Sequence, residues 1–155
     1  MEVLNKKLQV RNLCKSFDSK KILDNITFDV YEGEFLSVLG VSGCGKTTLL
    51  RILIGLETAD SGEIIKGEQD ISHLPSFERG MGIVFQNYAL FPNMTVLQNV
   101  EYALKLHKET AATARQTALD TLEQIGMTDQ LKKKPHQLSG GQQQRVAIAR
   151  TLAMN

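Results

Sequence analysis

The stretch GVSGCGKTT at positions 40–48 opens with eight residues that fit the spacing G-x-x-x-x-G-K-[ST] without a mismatch. Each residue type has a chemical use. Gly40, Gly43 and Gly45 allow backbone angles and a close approach that a Cβ would forbid. Successive N–H groups, with Ser42 and Cys44 in the same loop, can then converge on an anion at the positive end of a following helix. Lys46 would reach the β- and γ-phosphates of a nucleoside triphosphate, and the Thr47 hydroxyl would complete a Mg²⁺ shell. Thr48 could donate to an α-phosphate. Cys44 either fills a small position in the loop or, near a helix N-terminus, is a thiol of lowered pKa open to modification.

A second phosphate-binding pattern closes the sequence. LSGGQQQRVAIAR, residues 138–150, is a Ser-Gly-Gly turn running into a helix with Ser139 as its natural N-cap. Val146, Ala149, Leu152 and Ala153 form an apolar stripe along that helix, so one end could bind while the stripe packs.

Elements of definite kinds must position these residues. Leu8, Val10 and Leu13 alternate loosely within LQVRNL. ILDNITFDV is cleaner, with Ile26, Phe28 and Val30 on one face and Thr27 and Asp29 on the other. The turn at residues 32–34 predicts an antiparallel meander with the next segment. FLSVLG, residues 35–40, is nearly all apolar and predicts a strand buried on both faces, as does MGIVFQ at 81–86. Between them, Leu49, Ile52, Leu53 and Leu56 fall at helical spacing, with Gly55 as a stop. SGEIIKGEQDI reads as a short strand between turns. From about Thr95 the pattern turns helical, through TVLQNVEYALKLH and an amphipathic run with Ala118, Leu122 and Ile125 on one side. Pro135 breaks the chain before the final helix.

Composition narrows the class. The chain has 155 residues, a net charge of +1 and 42% hydrophobic residues, close to ordinary soluble usage. No field of that size steers a protein to nucleic acid. The lysines at 132–134 read as a solvated loop. No apolar stretch approaches the ~20 residues of a membrane helix, and the N-terminus lacks the apolar region of a signal peptide. Cys14 and Cys44 are far apart and without metal-ligand spacing, which fits a reducing compartment.

Together, the phosphate loop, the 138–150 motif and Gln86 in VFQNYALFP resemble the ATP-binding subunits of ABC transporters, from Leu8 to the last residue. The resemblance implies an α/β P-loop fold: an antiparallel β subdomain, a partial RecA-like core and a helical subdomain. Residues 1–90 would hold the β subdomain and P-loop core, and 91–155 the helical subdomain. By resemblance, residues 40–48 are the Walker A loop. Gln86 approaches Mg²⁺ and the attacking water and couples to the membrane partner. Phe17, with Ile22 beside it, stacks on adenine, although either reading of Phe17, stacking or plain core aromatic, fits the residues. Two such domains pair head to tail, so Ser139, Gly140, Gly141 and Gln142 of one would grip the γ-phosphate of the ATP held by the other. The implied partners are a second such subunit, most simply an identical one, transmembrane permease subunits and, indirectly, a solute-binding protein, at the cytoplasmic face of the membrane and without nucleic acid.

The stretch GIVFQNYALFPNMTVLQNVEYAL resembles the importer branch that serves polyamines, sugars, ferric iron, phosphonates or thiamine. In that branch the region around residues 88–95 contacts the permease. The family also places a buried strand ending in Asp-Glu shortly after ARTLAMN, and a histidine switch beyond it. Neither occurs in residues 1–155, and His73, His107 and His136 lack the switch's context. The sequence is therefore expected to be the N-terminal part of a longer subunit, or a truncated product, that binds ATP with negligible hydrolysis. The alternatives are a non-transport ABC ATPase acting on nucleic acid or ribosomes, and a binding module that never turns over. A GTPase or kinase leaves the 138–150 motif unexplained.

Overall fold

The computed structural model describes residues 5–106 and 110–154; His107 lies outside them. Two compact units divide the chain, Met1–Met81 and Gly82–Asn155.

In the first unit, two long strands, β1 (Lys6–Phe17) and β2 (Lys20–Tyr31), form a hairpin closed by Asp18 and Ser19. Both turn residues have positive φ, 46° and 65°, as a two-residue primed turn requires to match strand twist. Register irregularities bend the hairpin, and Asn12 and Asn25 take left-handed angles beside them, a conformation asparagine tolerates. β1 is the central strand: β2 pairs on one side and β3 (Ser61–Lys66) on the other, with the two-residue β4 (Gln69–Asp70) outside β3, all antiparallel. Helix α1 (Lys46–Leu53) buries Leu49, Ile52 and Leu53 in the same core as Val10, Leu13, Leu23, Ile64 and Ile71.

The second unit is helical: α2 (Val96–Leu106), α3 (Ala111–Gln124) and α4 (Gly140–Leu152). Val96, Val100, Leu104, Ala118, Leu122, Met127, Val146 and Ala149 interlock as its core. Thr95 and Gln98 bond reciprocally at the start of α2, a capping box that supplies two otherwise orphaned N–H groups with acceptors.

Several sequence expectations change. Residues 35–40 and 81–86 form no strand, and Phe35 and Leu39 are 90% and 89% exposed. An apolar run has the composition of a buried strand, but a strand also needs a neighbour to complete its ladder. The sheet found among the described residues is β2-β1-β3-β4, which includes neither segment. For the same reason the expected meander does not continue past residue 34; the turn there ends the hairpin, and β1 takes β3 as its other neighbour. Helix α1 ends at Leu53, turned by Gly55 at φ 77°, which puts Leu56 off the apolar stripe and into solvent. At the end of α4, Leu152 is likewise exposed, while Ala153 packs on the core.

Candidate nucleotide-binding site

The glycine loop enters α1 through Gly45, which holds φ 101° and contributes no side-chain cap. A Cβ there would lie 3.0 Å from both the Ile22 carbonyl oxygen and Leu23 Cδ2, so the loop is seated against β2 at a distance only glycine permits. Gly43 also has positive φ, 80°, but with open space around it. At Gly40 a Cβ would meet Cys44 Sγ at 2.6 Å. The loop therefore folds back on itself, with the Cys44 amide donating to the Val41 carbonyl at 3.3 Å.

The ammonium of Lys46 donates to the carbonyls of Gly40 and Val41, each at 2.8 Å, and lies 3.5 Å from Cys44 Sγ. Its partners are neutral. The first turn of α1 carries no acidic residue, so among the described residues the positive pole of the helix and the lysine face the same loop without a carboxylate to satisfy them. An anion is the ligand that such a cradle favours. Ser42, Gly43, Cys44 and Thr47 are exposed and Thr48 half-buried. Among the described residues no cluster of three or more His, Cys, Asp or Glu could hold a metal. A hydroxyl such as that of Thr47, together with phosphate oxygens, is a donor set suited to Mg²⁺, which keeps much of its water.

Ile22, expected beside the nucleotide, is the residue against which Gly45 packs. Phe17 ends β1 on the same hairpin and is 43% exposed, so it is not an ordinary core aromatic. The Lys15 ammonium sits 4.9 Å from its ring centroid, a cation–π contact. That lysine is itself fixed by Glu57 at 2.9 Å, Asp60 at 3.5 Å and the Thr58 carbonyl at 2.7 Å. Hydrogen bonding with Lys15 holds the Glu57 carboxyl below its usual range, and the same contact raises Lys15.

At the far end of α1, the buried guanidinium of Arg79 donates to the carbonyls of Ile52 and Leu53 at 2.8 and 3.1 Å. It also reaches the Leu74 and Ser72 carbonyls, both at 2.8 Å. Burial lowers its pKa. A cation on the last carbonyls complements the negative end of the helix. Sequence reading missed both Lys15 and Arg79, because each is defined by carbonyls and carboxylates distant along the chain.

The remaining expected residues fall in the second unit. Gln86 is exposed and opens a turn in which Tyr88 and Ala89 hold φ 60° and 45°. Ser139 caps α4 as expected: its Oγ accepts the Gln142 amide at 3.3 Å, and Gln142 Oε1 accepts the Ser139 amide at 2.9 Å. The Ser139 hydroxyl proton remains for another acceptor. Gly140 and Gly141 begin the helix with φ outside the left-handed region, and a Cβ on either would meet nothing within 4 Å. Packing among the described residues gives no reason for two glycines there, although each costs a helix about 1 kcal/mol relative to alanine.

Comparison with known proteins identifies the family. The family model described as ABC transporter matches residues 23–155. The spermidine/putrescine import ATP-binding protein PotA of Marinobacter nauticus is 52% identical over 145 residues, which is 94% of this chain and 39% of that protein. PotA of Vibrio vulnificus is 48% identical over 145 residues, again 94% of this chain and 38% of the relative. The chain thus spans about two-fifths of the length of these relatives. Among solved structures, the dimeric post-hydrolysis state of the ATP-binding cassette MJ0796 bound to ADP and Pi superimposes with a TM-score of 0.82 at 35% identity, over 96% of this chain and 70% of that one. The fold is that of an ABC nucleotide-binding domain in part, with its antiparallel β subdomain and helices. The family match over residues 23–155, the relatives and the shared fold converge: the chain belongs to the ABC transporter family.

Proposed function

We propose that residues 1–155 form the ATP-binding part of an energy-coupling subunit in a polyamine-type ABC import system. The observation that carries the reading is the cradle at residues 40–48, where backbone amides, the α1 dipole and an ammonium bonded to the Gly40 and Val41 carbonyls face one loop. Lys46 would exchange its carbonyl partners for the β- and γ-phosphates, and residues 42–48 would enclose them. Phe17 and Ile22 would take the adenine, with the ring held from one side by Lys15. Thr47 would hold Mg²⁺, which when bound offsets the charge of the phosphates.

The dimeric form of the solved relative and the open glycines of α4 support a second half-site in trans. Ser139 would donate its hydroxyl proton, and Gly140 and Gly141 their amides, to the γ-phosphate held by another copy. Gln142 would hold the cap in shape. ATP then joins two chains, and its loss lets them part, a motion that permease subunits at the cytoplasmic face of the membrane would feel through the region around residues 88–95. Residues 1–155 contain no Asp-Glu pair, so this polypeptide by itself would bind ATP and turn it over negligibly, as a reaction without a positioned general base is slower by about 10²–10⁴.

Calorimetric titration of the chain with MgATP tests the reading. Binding is expected for the wild type and at least tenfold weaker affinity for Lys46→Ala, which removes a charge-assisted phosphate contact. Equal affinity in both would place the nucleotide elsewhere.

A further inference from the structure

The loop after Gln86 holds two successive non-glycine residues, Tyr88 and Ala89, in the left-handed region. For side-chain-bearing residues this is unfavourable and needs something to hold it. Local turn bonds run from the Tyr88 amide to the Phe85 carbonyl at 2.8 Å and from the Ala89 amide to the Asn87 carbonyl at 2.7 Å. The carbonyls of the same two residues point to one guanidinium. Arg150, eleven residues along the helix that Ser139 caps, donates from Nη1 to Ala89 at 2.7 Å and from Nη2 to Tyr88 at 3.1 Å. Its guanidinium also lies 5.8 Å from the Phe91 ring centroid, and that ring packs edge-on against Tyr102 of α2 at 4.8 Å.

Farther along the loop a different residue holds the chain. Asn99 on α2 is completely buried and binds the Phe91 amide and the carbonyls of Phe91, Met94 and Thr95. Residues 91–95 are thus fixed to α2, whereas the turn at 86–89 has its side-chain anchor on α4. Only arginine presents two parallel donors at the spacing of adjacent carbonyls; a lysine could serve one at a time.

We propose that Arg150 is a positioning residue: by clamping the Tyr88–Ala89 carbonyls it makes α4 and the loop after Gln86 one mechanical body, so that a ligand gripped at the Ser139 end is registered at residues 86–91. The functional half of this inference rests on the role proposed above for Ser139; the clamp itself does not.

Hydrogen exchange on the 155-residue chain tests it, with wild type, Arg150→Met and Arg150→Lys compared with and without MgATP. Without nucleotide, peptides covering residues 86–91 should exchange on the order of tenfold faster in Arg150→Met, with a partial return in Arg150→Lys, while peptides from α2 and α3 keep their wild-type rates. Unchanged exchange at 86–91, or an increase spread equally through all three helices, overturns the clamp. Should Arg150→Met fail to fold, Arg150→Lys decides by the same criterion. With MgATP, exchange at 86–91 should slow in the wild type and not in Arg150→Met; equal slowing in both overturns the transmission. A wild type that binds no ATP refutes the proposed nucleotide site, while the comparison without nucleotide still decides the clamp.

Discussion

Gly45 is the position where backbone angle and steric room coincide, at φ 101° with the Ile22 carbonyl 3.0 Å from where a Cβ would stand. Gly45→Ala should therefore weaken nucleotide binding and lower stability by about 1–2 kcal/mol or more, as a left-handed alanine costs that much before any clash. Calorimetry and chemical denaturation read the two effects. Cys44 is exposed and 3.5 Å from the Lys46 ammonium, so an alkyl group on its sulfur would occupy the cradle. Alkylation is expected to block ATP binding, and ATP to slow alkylation. Alkylated protein with normal affinity would place the thiol away from the phosphates. The P-loop residues and the Ser139 cap were legible in the sequence because their geometry is local: nine and four consecutive residues contain nearly all of it. Lys15, Arg79, Asn99 and Arg150 were not, because each is defined by backbone carbonyls, carboxylates or rings brought to it by tertiary folding.

At the scale of elements, α1 carries the cradle on one end and depends on Arg79 at the other. Arg79→Met keeps much of the side-chain volume but removes the guanidinium from the Leu53 carbonyl and leaves the Ile52 carbonyl with the Gly55 amide alone, and should cost roughly 2–3 kcal/mol by denaturant unfolding. A loss under 0.5 kcal/mol would mean that water replaces the guanidinium. The β1–β2 hairpin carries a pH dependence of its own. Hydrogen bonds from Lys6 and Arg11 hold the Asp29 carboxyl below its usual range. Its contribution is complete above the unfolded value, about 3.9, and disappears as pH falls through the lower folded value. Asp29→Asn should flatten that part of the acid unfolding profile, and an unchanged profile would assign it to other carboxylates. Amphipathic helices were the most legible elements, since a repeat of 3.6 residues reports one buried face directly, as at Val146 and Ala149. The apolar runs at 35–40 and 81–86 misled because a strand is completed by its neighbour, and an apolar sequence does not name that neighbour.

For the molecule as a whole, exposed Phe35 and Leu39 lie in an apolar stretch ahead of the cradle, and exposed Val41 continues it into the loop. Surfaces of this kind favour association. Sedimentation of the chain without nucleotide should show weight-average mass rising with concentration, and Phe35→Ser with Leu39→Ser should reduce the rise. That association is distinct from the pairing through ATP proposed above, which would need the cradle of one copy and the α4 terminus of another. Gly140→Glu separates the two. Its side chain enters open space, and an acidic group suits a helix N-terminus, so the fold should not suffer, yet the carboxylate would repel a γ-phosphate.

The most direct measurement is sedimentation velocity with MgATP on Lys46→Ala alone, Gly140→Glu alone and an equal mixture of the two. Neither variant should form an ATP-dependent pair by itself, and the mixture should, because the Gly140→Glu chain supplies a loaded cradle and the Lys46→Ala chain an intact Ser139 end to cover it. Pairing by Gly140→Glu alone, or none in the mixture or in wild type, would contradict a triphosphate shared between two chains.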